Sequence, residues 1–95
     1  MNIQYKINKN TILHYVEAHQ FGDDDKVDIY TLSFSFYDCH YDVYVSRKDL
    51  DSDTGCIQMQ GDSKLFESFE EACENDYWNI IKERCAQFDN WYEPF

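Results

Sequence analysis

Asp49, Asp51 and Asp53 stand at alternate positions in "RKDLDSDTGC", spaced as the oxygen ligands of a calcium loop begin. A calcium loop of the helix-loop-helix type, counted from Asp49, needs glycine at its sixth place and a bidentate glutamate at its twelfth, and this chain has Thr54 and Gln60 there. The stretch therefore reads as a polar turn closed by Gly55. Thiol chemistry is no better supported, because adjacent Cys39 and His40 would project from opposite faces of a strand. Cys39, Cys56, Cys73 and Cys85 lack the Cys-x-x-Cys spacing of zinc sites, and His14, His19 and His40 do not complete one, so free and mostly buried thiols are expected. Gly22, Gly55 and Gly61 are isolated and build no phosphate loop. No catalytic residue, cofactor or metal ligand is assigned, and the chain is not expected to be an enzyme.

What the acids can do together is carry charge. The chain holds 19 Asp and Glu against 8 Lys and Arg, a formal net of −11. Direct nucleic-acid binding needs a cationic patch that displaces counterions, and the few basic residues here are scattered. A basic partner is favoured instead, since a field of one sign steers its opposite. Between Asp49 and Asp76 the acids are densest, with Lys64 the lone cation among them. The candidate partner-binding residues are Asp49, Asp51, Asp53, Asp62, Glu67, Glu70, Glu71 and Glu74. Alternate residues of an extended segment lie roughly 6.6 Å apart and helical positions four apart rise about 6 Å, comparable to neighbouring phosphates on a nucleic-acid strand. An ordinary explanation competes with this one: the loop acids are solvated, while Glu70 and Glu71 complement the positive end of a helix dipole.

The elements that must position these residues follow from hydrophobic period. At 95 residues, with 43% hydrophobic and 18% aromatic content, residues 1–95 fit a single compact domain. "NIQYKI" alternates as a first strand, and "NTILHYVEAHQFG" reads as a short helix capped by Asn10 or Thr11 and stopped at Gly22, with a β continuation as its main rival. "DDD" at 23–25 is a solvated loop. Tyr30, Leu32, Phe34 and Phe36 then alternate with Thr31, Ser33 and Ser35 in the clearest strand. Tyr41, Val43 and Val45 repeat the pattern after a hairpin through Asp38, Cys39 and His40, and Ile57 with Met59 supplies a further strand. Ser68 and Glu71 form a capping box that opens a long C-terminal helix. Its apolar stripe, Phe69, Cys73, Tyr77, Ile80, Ile81 and Phe88, lies opposite Lys82 and Glu83, and should cover the sheet with Phe34 facing Ile80. In the aromatic tail, Trp91, Tyr92 or Phe95 is expected to dock. The architecture is thus α+β: an antiparallel sheet of three to four strands with a long C-terminal helix packed on one face, in the order β-α-β-β-β-α.

From the early helix onward this order resembles a double-stranded-RNA-binding domain, but the helix start carries Glu70, Glu71 and Glu74 where such a domain needs basic groups. In size, acidity and lack of catalytic residues the chain resembles small phage-encoded inhibitors of host defence, the anti-CRISPR and DNA-mimicking antirestriction proteins. That resemblance implies a stoichiometric inhibitor of a nucleic-acid-binding complex such as a CRISPR effector or restriction nuclease, working in the host cytoplasm. An acidic interaction or immunity module for a basic partner or toxin is the second reading, and a small enzyme with an unrecognised site the third. No window approaches the roughly 18 apolar residues of a membrane span and no secretory h-region opens the chain, so a soluble cytoplasmic protein without membrane contact is expected.

Overall fold

The computed structural model describes residues 2–20 and 27–91. Strands β1 (Asn2–Asn8), β2 (Thr11–His19), β3 (Ile29–Phe36), β4 (Cys39–Ser46) and β5 (Gln58–Met59) form one antiparallel sheet, each strand beside its neighbour in sequence. Helix α1 (Arg47–Asp51) links β4 to β5, and α2 (Ser63–Ala72) and α3 (Tyr77–Trp91) complete the chain. The α+β class with a C-terminal helix stands. The sheet has five strands rather than three or four, and the order is β-β-β-β-α-β-α-α.

The early helix is the largest correction, because residues 11–19 are β2. Pairing runs from Leu13 opposite Phe34 to Tyr15 opposite Ser33, which leaves His14 as an extra, bulged residue. The bulge shifts the alternation by one, so Leu13 and Val16, three apart, both face the core and are fully buried. A spacing of three imitates a helical stripe, which is why the pattern misled. The order resembling an RNA-binding domain disappears with that helix. Gly22, the expected helix stop, and the loop at 23–25 lie outside the described residues.

β3 behaves as its sequence dictates. Tyr30, Leu32, Phe34 and Phe36 are buried, Ser33 and Ser35 are half-buried on the opposite face, and regular pairing begins at Ile29. The hairpin to β4 turns on Tyr37 and Asp38, whose positive φ angles of 48° and 63° suit the twist of the flanking strands. Cys39 and His40, expected in the turn, are already paired with Phe36 and Ser35.

The capping box at Ser68 is the second correction. Asp62 opens α2 six residues earlier, its carboxylate accepting from the backbone N–H of Lys64 and Leu65 at 3.0 and 3.2 Å. Gly61 allows this entry, with φ of 141° and Leu65 Cδ2 only 2.6 Å from where a Cβ would sit. One long helix is also two: Glu74 and Asn75, at φ 57° and 62°, break it between Ala72 and Tyr77. The corner is tied to the sheet by Asn8 Nδ2 and Thr11 Oγ1, which donate to the Ala72 carbonyl at 2.6 and 2.8 Å and satisfy an orphan acceptor at the helix end.

The predicted stripe survives the break. Phe69, Cys73, Ile81 and Phe88 are buried, and Tyr77 and Ile80 are half-buried against the same core. Phe34 meets Phe69, with ring centroids 5.1 Å apart, and Phe69 lies 5.5 Å from Phe36, while Ile80 packs against the same core. At the far end, Tyr30 donates to Asp89 and accepts from Arg47, while Arg47 pairs with Asp89 at 2.8 Å. Burial first, then the Asp89 carboxylate, raises the Tyr30 hydroxyl far above the usual phenol range. The four cysteines are unbridged, but only Cys73 and Cys85 are buried, their thiols pushed up to about 12 by burial; Cys39 and Cys56 are exposed.

Candidate partner-binding surface

The eight candidate acids fall into two groups with different local histories. Asp49 belongs to the fold. Ser46 is the N-cap of α1, its hydroxyl accepting from the Asp49 N–H at 3.1 Å and donating to Asp49 Oδ2 at 3.0 Å. The other carboxylate oxygen accepts from Thr54 Oγ1 at 3.0 Å. Asp51 lies 3.8 Å from Arg47, one helical turn away. Asp53, at φ 54°, accepts from Trp78 Nε1 at 2.6 Å and Lys82 Nζ at 2.8 Å, and those bonds, Lys82 first, hold its carboxyl below the usual range. Asp62 is the cap of α2.

Lys82 therefore occupies no neutral face. It reaches back to the α1–β5 loop and neutralises part of the charge assigned to it. The same junction includes Tyr77, whose hydroxyl donates to the Gly55 carbonyl at 2.8 Å and whose ring meets Phe66 of α2 at 5.4 Å. Burial, then the charge of Glu70, raises the Tyr77 hydroxyl, so the loop and the second turn-and-a-half of α2 meet at this residue.

Glu67, Glu70, Glu71 and Glu74 form the other group. None of their carboxylates makes a hydrogen bond or ion pair within the described residues; Glu67, Glu71 and Glu74 are exposed and Glu70 is half-exposed. Because α2 begins at Ser63, Glu70 and Glu71 lie in its last turn, and that turn holds no basic residue. They face the negative end of the helix dipole, where a carboxylate is unfavourable by about 0.3–1 kcal/mol at an exposed position. The expected complement to a positive helix end is thereby reversed. Glu74 follows in the left-handed region, which glycine or asparagine occupies at lower cost.

Other chemistry is not assembled. Cys39 lies by the Tyr41 hydroxyl, while His40 turns to the opposite sheet face and meets the His14 ring at 4.9 Å, so no thiol–imidazole pair forms. Among the described residues no group of three or more His, Cys, Asp or Glu is arranged to hold a metal, and no helix is long and apolar enough to cross a membrane. The expected docking of the tail at Trp91, Tyr92 or Phe95 falls on side chains outside the described residues.

Sequence reasoning missed Arg84 and Tyr5. The Arg84 guanidinium carbon lies 3.7 Å from the Tyr5 ring centroid, and Arg84 is 9% exposed. Nothing in the spacing of a tyrosine on the first strand and an arginine 79 positions later could pair them. No protein-family model matches the chain, and neither the curated proteins nor the solved structures yield a match to it.

Proposed function

We propose that this chain is an acidic protein inhibitor that binds a nucleic-acid-binding host defence complex, a CRISPR effector or restriction nuclease, in the place of nucleic acid. It acts by stoichiometric binding, without turnover, on a cationic groove. The observation that carries this reading is the placement of Glu70 and Glu71 in the last turn of α2, against the helix dipole and, among the described residues, without a cation to relieve them. Charges that stabilised the helix would sit at its other end. Glu67 and Glu74 extend the same unpaired charge over about two turns, and the formal net of −11 adds a long-range field that speeds encounter with a basic surface.

The loop acids have a smaller part. Asp49 and Asp62 are fixed by capping and Asp53 is shared with Lys82, so α2 and the corner after it are the centre of the contact.

The test is capture of a partner from bacterial lysate on the immobilised chain, followed by stopped-flow association across a salt series in competition with that partner's DNA or RNA. Association should slow with salt and with Glu67→Gln, Glu70→Gln, Glu71→Gln and Glu74→Gln combined, because exposed charges act chiefly on encounter rate. Rates indifferent to salt and to the four substitutions would reject nucleic-acid mimicry.

A further inference from the structure

We propose that the outer edge of β4 at Cys39–Asp42 is a docking strand, which takes up one short extended segment of a cationic protein as a further strand in line with β5. That this segment belongs to the partner proposed above rests on that reading; the edge's preference for a cationic strand does not.

β4 is eight residues long, yet β5 covers only Val43 and Tyr44 of it. The chain then leaves the sheet, because Gly61, at φ 141°, and Asp62 turn it into α2 instead of carrying it along β4. Cys39 to Asp42 therefore pair with β3 on one side, and among the described residues no hydrogen bond reaches their main chain from the other. Cys39, His40 and Asp42 are exposed, whereas Val43 and Val45, farther along the strand, are buried. Alternate residues of a strand send both main-chain groups to the same side, so half of this stretch directs its N–H and C=O outward. Where the next strand would run lies a cavity of about 360 Å³, lined by His40, Tyr41, Asp42 and Gln60.

The opposite edge of the sheet is closed to such pairing. The register of β1 with β2 slips twice, and exposed Lys6 stands on it. Bulges and lysines are how proteins keep edge strands from pairing. β4 has neither: its register with β3 is unbroken from Ile29 opposite Ser46 to Phe36 opposite Cys39, and no Lys, Arg or Pro occurs between Asp38 and Ser46.

Charge selects the occupant. Asp38 and Asp42 are exposed, and while one Asp42 oxygen accepts from Ser33 Oγ at 2.7 Å, the other has no partner among the described residues. On the helix side, Asp62 is near enough for its charge to act, after the Cys39 thiol, in raising the Tyr41 hydroxyl. Two copies of the chain meeting here would set these acids against each other, at a formal net of −11 apiece. A nucleic acid is anionic and has no main-chain ladder to offer. An extended cationic peptide meets both demands: its main chain completes the ladder, and its alternate side chains lie on the Asp42 face.

The experiment titrates the full chain, labelled with nitrogen-15, with the peptide acetyl-Arg-Val-Arg-Val-amide; the same peptide with Glu in place of Arg is the control. The arginine probe should saturably shift the amide resonances of Cys39–Asp42, with a dissociation constant on the order of millimolar. N-methylation of its two valines and N-methylation of its two arginines remove donors from opposite edges of the guest strand. One of these methylated probes should bind as the parent does and the other should lose binding, a split that charge attraction alone cannot produce. Asp42→Asn, which keeps an acceptor for Ser33, should weaken the parent probe by about threefold or more, and Glu83→Gln on α3 should leave it unchanged. Absence of saturable shifts at Cys39–Asp42, equal shifts with the glutamate probe, or binding by both methylated probes or by neither each overturns the proposal. Self-association of the chain that protects the same amides would assign the edge to a second copy and overturn it as well. The salt dependence of partner association is decided by its own measurement, so either reading can fail while the other stands.

Discussion

The stretch from α1 through the α1–β5 loop and the C-terminal half of α2 are equally acidic to the eye, yet the fold treats them in opposite ways. Carboxylates of α1 and the loop after it are absorbed: Asp49 accepts from the Ser46 and Thr54 hydroxyls, and Asp53 ties the loop to Trp78 and Lys82. The α2 carboxylates are set against the helix dipole and left without cations among the described residues. Net charge alone cannot separate the two. A carboxylate's meaning depends on the backbone donors and dipole around it, and those follow from where a helix starts.

The largest expected effect is on the loop side. Asp49→Ala removes the acceptor of Ser46 and Thr54 together and should lower stability by about 1–2 kcal/mol, measured as a shift in the urea midpoint at unchanged slope. Little change would mean that these hydroxyl–carboxylate bonds do not hold α1. The next is smaller and opposite in sign. Glu70→Gln and Glu71→Gln should each raise stability by about 0.3–1 kcal/mol at low salt, and the gain should shrink as salt is added. If both substitutions destabilise, these acids are structural and the contrast between the regions fails.

The smallest effect is a titration. Asp53 has a depressed pKa, so its folded-state contribution is present above the unfolded value of about 3.9 and is lost as pH falls through the lower folded value. The Trp78 indole N–H resonance should report that step in acid, below the unfolded pKa, and Asp53→Asn should abolish it. A step at or above the unfolded value would show that Lys82 and Trp78 do not hold the carboxylate.

How much of this was legible in the chain follows from period. The alternation of β3 and β4 and the apolar stripe from Phe69 to Phe88 could be read directly, since each side chain's partners lie at fixed spacing on a regular element. β2 could not, because one bulged residue at His14 converts a spacing of two into a spacing of three. The start of α2 was misplaced for a related reason. Ser68 and Glu71 satisfy the capping-box pattern, but Asp62 after Gly61 already caps the helix six residues earlier, and a helix once begun continues through a serine. From that one shift the dipole argument for Glu70 and Glu71 changed sign. The eight acids were all visible as residues; which of them are spent on caps depends on those boundaries. Arg84 over Tyr5 is purely a product of the tertiary fold.

The sheet order, each strand beside its neighbour in sequence, bears on how the molecule reaches this state. Every strand pairing closes a short loop, so the sheet assembles from local contacts and the search is fast for a β-rich chain. The helices that cover it follow the sheet in sequence and leave the ribosome after it. Until residues 63–91 have emerged, Leu13, Val16, Leu32, Phe34, Val43 and Val45 present one continuous apolar face to water. During synthesis the nascent chain is therefore a sheet without its lid, and the interval before α2 and α3 dock is when aggregation or chaperone capture competes most strongly with folding.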